Sequence, residues 1–293
     1  MDGVIVVDKP SGWTSHDVVA KMRRLANTKK TGHLGTLDPM ATGVLPLVVG
    51  RATRLAQFFR LNEKSYEGAI RFGYATNSYD ATGEPTSPVR EVSPDRTALM
   101  AAMEQFRGSI QQTPPAVSAK KIGGVAAYTL ARKNKPVDLS PVEITIHSFE
   151  LLALEGCEAR VSVRCSSGTY LRSIAHDIGQ ILGCGAHLSQ LRRTASGPFE
   201  LRQAHTLEQL AALSAAERIA EALIPAAELL PEFPAEKVDS ITEGQIRQGR
   251  DFRVSPFRML QGSRYVRAIS DTGALIAIGE ATMPNVYHPV LVL

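Results

Sequence analysis

The stretch that decides the reading of this chain is Thr31–Gly50, TGHLGTLDPMATGVLPLVVG. It sets one carboxylate, Asp38, between a glycine-rich turn and an apolar run. Gly32, Gly35 and Gly43 give backbone freedom and let a ligand approach the main chain closely. Pro39 fixes φ immediately after Asp38 and removes a donor, so the acid stands on a stiff corner. Val44 to Val49 is a short run with β-branched residues, which predicts a buried strand. A rigid loop on a core strand, holding one acid beside a histidine (His33), is a way to position a nucleophile. Taken alone, Asp38-Pro39 is also what begins an ordinary turn.

Working outward, Val4–Val7 predicts a strand that runs into the turn-forming Lys9-Pro10-Ser11-Gly12. Thr14-x-x-Asp17 reads as a capping box, with Val18, Val19, Met22 and Leu25 on one face of the helix behind it. Lys21, Arg23 and Arg24, followed by Lys29 and Lys30, form a basic cluster that is either a solvated face or a contact for a polyanion. Arg51–Arg60 is expected to be helical. Tyr66, Gly68, Ile70 and Phe72 alternate with Glu67, Ala69 and Arg71 as in an amphipathic strand. Ser93-Pro94 is read as the start of another helix, with Leu99, Ala102, Met103 and Phe106 inward. Residues 111–140 interrupt this order with Pro114-Pro115, Gly123-Gly124 and Lys120, Lys121, Arg132, Lys133 and Lys135. An excursion of that length within a compact domain carries function or has no fixed structure. Strands follow at Val142–Leu154 and Ala159–Cys165, a helix at Tyr170–Leu182, a strand at Ala186–Thr194 and a helix at Leu207–Leu213. The fold class is therefore α+β, without the regular alternation of a doubly wound parallel sheet. Near Leu230-Pro-Glu-Phe-Pro234 a proline-rich connector leads to about 60 residues of short strands, which read as a small β-barrel. A helix at Ile241–Arg250 is expected within it.

Composition sets wide bounds. The chain has 293 residues, long enough for a large domain and a small one. A net charge of +4 favours a polyanionic partner without establishing one. Three cysteines without a C-x-x-C pair argue against a disulfide framework or a zinc site. The N-terminal residues do not read as a signal peptide, and no apolar run approaches the ~20 residues that span a bilayer. A cytoplasmic location is expected. No phosphate-binding P-loop, dinucleotide fingerprint or zinc-deaminase signature is present, so no cofactor and no metal are expected.

The segment His33–Leu45 resembles the catalytic loop of the TruB-type tRNA pseudouridine synthases, G-H-x-G-T-L-D-P-x-A-x-G-V-L. Met40 stands where that family usually has leucine. Four more segments resemble family motifs in the same order. They are Lys9-Pro-x-Gly-x-Thr-Ser15, Lys64-Ser-Tyr66, Ser166-Ser-Gly-Thr-Tyr170-Leu-Arg172-Ser, and Leu191-Arg-Arg193-Thr194-x-Ser196-Gly197-x-Phe199. Ser167 takes the place of a usual lysine, which removes one cationic contact to RNA. The resemblance spans nearly all of residues 4–200, and the C-terminal part resembles the PUA-like RNA-binding domain in position, size and pattern.

That resemblance implies the pseudouridine-synthase fold, with a long mixed and mainly antiparallel central sheet. It divides the chain into a catalytic domain at 1–230, with an RNA-binding insertion at about 111–140, and a PUA-like domain at 231–293. It implies isomerisation of uridine 55 in the tRNA T loop. Asp38, Tyr170 and Arg172 would be catalytic: Asp38 the nucleophile or base, Arg172 its cationic partner, Tyr170 the group beside C5. Tyr66, His33, Lys9, Leu191, Lys120, Lys121 and Arg132 would bind substrate, with Tyr66 under the extruded base. Lys9 and its segment support the catalytic loop in relatives. The partner would be the tRNA T stem-loop, with a monomeric enzyme and no obligatory protein partner. Three other readings stand beside this one. The first is a guide-RNA-dependent relative, whose members carry extra terminal segments that this short-ended chain lacks. The second is a catalytically silent RNA-folding protein on the same scaffold. The third is a phosphoaspartyl enzyme, for which the accompanying magnesium-binding acids are missing.

Overall fold

The computed structural model of the protein describes residues 1–115, 121–122, 125–126, 140–255 and 263–293. Its strands are β1 (Gly3–Lys9), β2 (Thr31–His33), β3 (Thr42–Val49), β4 (Lys64–Phe72), β5 (Gly108–Gln112), β6 (Lys121–Ile122), β7 (Val125–Ala126), β8 (Val142–Glu155) and β9 (Glu158–Cys165). They continue as β10 (Ala186–Ser196), β11 (Phe199–Glu200), β12 (Leu223–Pro225), β13 (Ala235–Val238), β14 (Phe252–Arg253), β15 (Tyr265–Ser270), β16 (Leu275–Met283) and β17 (Val286–Val292).

One ten-stranded sheet runs β12-β1-β3-β10-β4-β9-β8-β5, with β2 on β3 and β11 on β10. Its pairs are antiparallel except β3 with β10, as expected for a mixed and mainly antiparallel sheet. The parallel pair depends on one glycine. Gly43 has φ +98°, and a Cβ there would meet Arg193 O at 2.2 Å. Only glycine lets β10 lie against β3 at the register Arg193↔Gly43.

Both faces of the sheet centre are covered, which explains why β1 and β3 read as unbroken apolar runs. On one face Ile5, Val7, Leu45 and Leu47 pack with Val18 and Met22, Leu99 and Met103, Ile174 and Ile178, and Leu210. Those partners come from the helices Ser15–Leu25, Arg96–Glu104, Leu171–Ile181 and Leu207–Ala215. The opposite face sends Val4, Val6, Val44 and Val48 against Leu55 and Phe59 and against Ile269, Ile278 and Leu291 of the C-terminal sheet. That second sheet has the order β13-β15-β16-β17-β14, with its own core of Val266, Ala268, Ile276 and Ala277.

The helix expected at Arg51–Arg60 is present as a 3-10 helix, Gly50–Phe59. The helix expected to begin at Ser93-Pro94 starts at Arg96, because the Asp95 side chain accepts the Ala98 N–H and caps it there. The helix expected at Ile241–Arg250 is Ser240–Arg247, capped by Asp239. The Thr14/Asp17 capping box is present. Among the described residues no helix is long and apolar enough to cross a membrane.

Candidate active site

A cleft of about 760 Å³ opens beside the C-terminal ends of β2 and the helix-starting turn before Leu171; His33, Leu37, Asp38, Tyr66, Tyr170 and Arg172 are among its walls. Leu191 and Arg193 close it from β10, and Pro114 and Ser167 also face it.

Asp38 and Arg172 form the centre. Arg172 Nε lies 2.8 Å from Asp38 Oδ2, and Arg172 Nη2 donates to Asp38 Oδ1 at 3.1 Å. The planar guanidinium edge thus meets the carboxylate at two points, a geometry that a single ammonium cannot match. The far side of Arg172 is also held. Its Nη1 donates to Ser78 O at 3.0 Å and stands 3.4 Å from Asp80 Oδ2. Asp80 is buried, and its Oδ1 accepts from Ser78 Oγ at 2.7 Å, Thr82 N at 3.0 Å and Thr82 Oγ1 at 2.6 Å. Arg172 therefore cannot swing away from Asp38 without abandoning a second buried acid.

About a third of the Asp38 side chain is open to the cleft, and almost none of Arg172 is. Burial pushes the Asp38 carboxyl above the usual carboxylate range, Arg172 opposes that rise, and the Asp80 charge adds to it. The outcome is a carboxylate that is poorly solvated and held by one oriented cation. Such a group is a reactive base or nucleophile.

The loop that carries Asp38 is fixed from below by two buried cations. Lys9 is fully buried, and its Nζ donates to Pro10 O at 2.9 Å, Trp13 O at 2.6 Å and Pro39 O at 3.1 Å. Burial lowers its pKa to about 8. This places Lys9 under the loop, tied to main-chain carbonyls. Arg193, 1% exposed, donates to Val44 O at 2.7 Å, Gly35 O at 3.1 Å and Thr36 O at 3.4 Å. Lys64 stands close by, donates to Asn62 O, and has its pKa lowered to about 8 by burial and by Arg193. Ser15 Oγ and the Leu37 main chain exchange two further hydrogen bonds, of 2.8 and 3.0 Å.

Tyr66 and Leu191 are both 9% exposed and line the cleft, so their remaining surface faces it. Burial raises the Tyr66 phenol pKa, which keeps the ring neutral. Tyr170 precedes the helix Leu171–Ile181 and is half-buried. Gln112 from β5 pins its main chain on both sides, with Oε1 accepting Tyr170 N at 2.8 Å and Nε2 donating to Tyr170 O at 3.0 Å. His33 accepts the Gly35 N–H at Nδ1, and its ring meets His16 edge-on at 5.5 Å between centroids. Burial, with the neighbouring His16 and Arg193, lowers its pKa and favours the neutral ring.

Asp38, Arg172, Tyr66, Tyr170, Leu191 and His33 are thus brought to one cleft. Lys120 and Arg132 lie outside the described residues. Lys121 begins β6, and its side chain is likewise outside what is described. Asp80, Gln112 and Arg193 are site residues that the sequence reading did not single out. Arg193 fell within a quoted motif, between Arg192 and Thr194 on β10, where nothing in the local sequence marks it as the buried one. For Asp80 and Gln112 no local signal exists.

Residues 23–171 match the N-terminal domain of the TruB family of pseudouridylate synthases, and residues 172–231 match the tRNA pseudouridylate synthase B C-terminal domain. The chain belongs to the TruB family. The tRNA pseudouridine synthase B of Solibacter usitatus (strain Ellin6076) is 61% identical over 293 residues, all of both chains. That of Thermobifida fusca (strain YX) is 45% identical over 265 residues, 87% of each chain. Among solved structures, the TruB fold of this chain is similar to a chain in a Cbf5-Nop10-Gar1 complex. The TM-score is 0.70 at 28% identity, covering 97% of this chain and 79% of that one. A chain of an H/ACA RNP bound to a substrate RNA containing 2′-deoxyuridine gives a TM-score of 0.71 at 26% identity, covering 99% and 84%. Membership of the TruB family makes this chain a pseudouridine synthase, an enzyme that isomerises uridine.

Proposed function

We propose that the protein converts uridine 55 in the T loop of tRNA to pseudouridine, acting alone as a monomer. The observation that carries this reading is the Asp38–Arg172 pair in a cleft walled by Tyr66, Tyr170 and Leu191, in a TruB-family chain. Relatives of 61% and 45% identity named tRNA pseudouridine synthase B support tRNA as the substrate, ahead of a guided RNA target. A cytoplasmic location follows from that substrate.

The chemistry is an isomerisation. The C1′–N1 bond breaks, the uracil turns, C1′ bonds to C5, the C5 proton leaves to solvent, and N1 takes up a proton. Atoms and electrons balance without a co-reactant. The uridine first leaves its stack, because C1′ and C5 are out of reach inside folded RNA. Tyr66 replaces the lost stacking, worth ~1–3 kcal/mol per base. Leu191, on the strand paired with that of Tyr66, and His33 line the same cleft and hold the extruded nucleotide. The Asp38 carboxylate begins the reaction, whether by attack on C1′ or C6 or by taking a ribose proton. The bound base excludes water from the open third of Asp38, which makes the carboxylate more reactive while Arg172 keeps it ionised. Tyr170 receives the C5 proton, directly or through water. In the same reading Lys120, Lys121 and Arg132 of the 111–140 insertion contact phosphates, and residues 231–293 form an RNA-binding module beside a catalytic part that ends near 230.

The test is to incubate an unmodified tRNA transcript with the protein, treat it with a carbodiimide that stably marks pseudouridine, and read primer-extension stops. One enzyme-dependent stop at position 55 is expected. Stops elsewhere, with none at 55, would refute the T-loop assignment.

A further inference from the structure

The segment Lys9–Ser15 is bolted to the catalytic loop. Lys9 Nζ joins Trp13 O to Pro39 O, Gly12 N donates to Pro39 O at 2.8 Å, and Ser15 is doubly bonded to Leu37. This rigid segment carries Trp13, the chain's single tryptophan, and leaves that residue 37% exposed. His16 follows on the first turn of the helix Ser15–Leu25, exposed, and touches His33 of the cleft wall edge-on. The exposed indole thus stands on the segment tied to the catalytic loop, three residues before a histidine that touches the cleft wall.

The surroundings of Trp13 say what it fits. Ser11, Gly12 and Thr14, its neighbours along the chain, are exposed and small or polar, so no large apolar side chain adjoins it in sequence. One flat ring with polar neighbours matches one flat base. The acid nearest in sequence, Asp17, is turned back on its own cap, where Oδ2 accepts Thr14 N at 2.9 Å and Thr14 Oγ1 at 2.6 Å. Its charge is engaged there and not aimed at an approaching phosphate. Because hydrogen bonds already fix the main chain at Trp13, stacking there costs little ordering.

We infer that Trp13, with His16 beside His33, is a second stacking platform for substrate RNA: it takes an unpaired loop base outside the cleft that receives the target uridine. This rests on the tRNA reading above and goes beyond it by assigning a contact outside the catalytic cleft.

A single tryptophan makes the test direct. Unmodified tRNA transcript is titrated into the protein while intrinsic fluorescence and acrylamide quenching are followed, with isomerisation measured in the same samples. Fluorescence should fall, and acrylamide access should be lost, in step with binding. Trp13→Ala should raise Kd and KM roughly tenfold, within the range expected of one lost stack, and lower kcat far less. The dependence of log Kd on log salt should keep its slope, since no phosphate contact is removed. Trp13→Phe should recover most of the affinity. Unchanged fluorescence and acrylamide access while the sample isomerises the tRNA would overturn the proposal alone. So would an unchanged KM in Trp13→Ala. A sample that neither binds nor isomerises tRNA would overturn the tRNA reading, and this proposal with it.

Discussion

Replacing Arg172 by lysine keeps a positive charge but removes the fork that joins two acids. Arg172 makes two contacts with Asp38, one with Ser78 O and one with Asp80. A lysine ammonium is one point charge and cannot serve both carboxylates across the guanidinium's width. Breaking a buried ion pair costs ~3–5 kcal/mol. Asp38 is a third open to the cleft and the charge is retained, so the lower end applies, about 3 kcal/mol. At about 1.4 kcal/mol per decade this lowers kcat roughly a hundredfold. The pH profile supplies a second readout. In the proposed reaction Asp38 acts as the carboxylate, so the rate rises with pH through its pKa. Burial already raises that pKa and Arg172 restrains it. Weakening the restraint must move the acid limb of the kcat profile to higher pH. Single-turnover isomerisation of tRNA across pH 4.5–8.5 (a range chosen about ordinary carboxylate and histidine values), with binding measured alongside, gives both numbers. A variant within fivefold of wild type, with its acid limb unmoved, would refute the assignment of Arg172 as the group that keeps Asp38 ionised.

Asp80→Asn should move the same limb the opposite way, to lower pH, because it removes a negative charge that raises the Asp38 pKa; a shift upward in the same profile would contradict this. Gln112→Leu should lower kcat roughly thirtyfold with tRNA affinity retained, since the two hydrogen bonds that fix Tyr170 are lost, at ~1 kcal/mol net each. Wild-type kcat in a folded Gln112→Leu protein would show that Tyr170 needs no such support. Arg193→Leu should destabilise the fold by about 3 kcal/mol, because the carbonyls of Val44 and Gly35 lose their donor. Calorimetry should show a Tm roughly 6–12 °C lower, and an unchanged Tm would mean that the loop carries its own shape.

What the sequence made legible was local. Asp38 could be found because Gly35, Pro39, Gly43 and the strand behind them constrain neighbouring residues, and such constraints leave a mark in a contiguous string. Tyr66 followed from strand alternation and from its place in a motif, and β4 buries Tyr66, Ile70 and Phe72 as the alternation predicts. The chain gave less warning of the groups that act across the fold. Arg192 and Arg193 are identical neighbours, yet strand geometry sends them to opposite faces. Arg192 pairs with Asp8 at 2.7 Å near the surface, while Arg193 is buried under the catalytic loop. Asp80 and Gln112 reach Arg172 and Tyr170 over 92 and 58 positions of sequence (172 − 80 and 170 − 112), in a loop and at a sheet edge with no repeating pattern. Lys9 was recognised, but only the fold shows its ammonium ringed by three carbonyls. The 3-10 form of Gly50–Phe59 was hidden because its apolar spacing suits either kind of helix.

The central claim is that Asp38, held by Arg172, isomerises uridine in tRNA. It is tested most directly by tritium release from transcript labelled at uridine C5, comparing the intact protein with Asp38→Asn. Forming the C1′–C5 bond must expel that tritium to water. The account predicts release by the intact protein and none by Asp38→Asn, with both binding the transcript. Equal release from the two proteins would contradict it and place the catalytic carboxylate elsewhere.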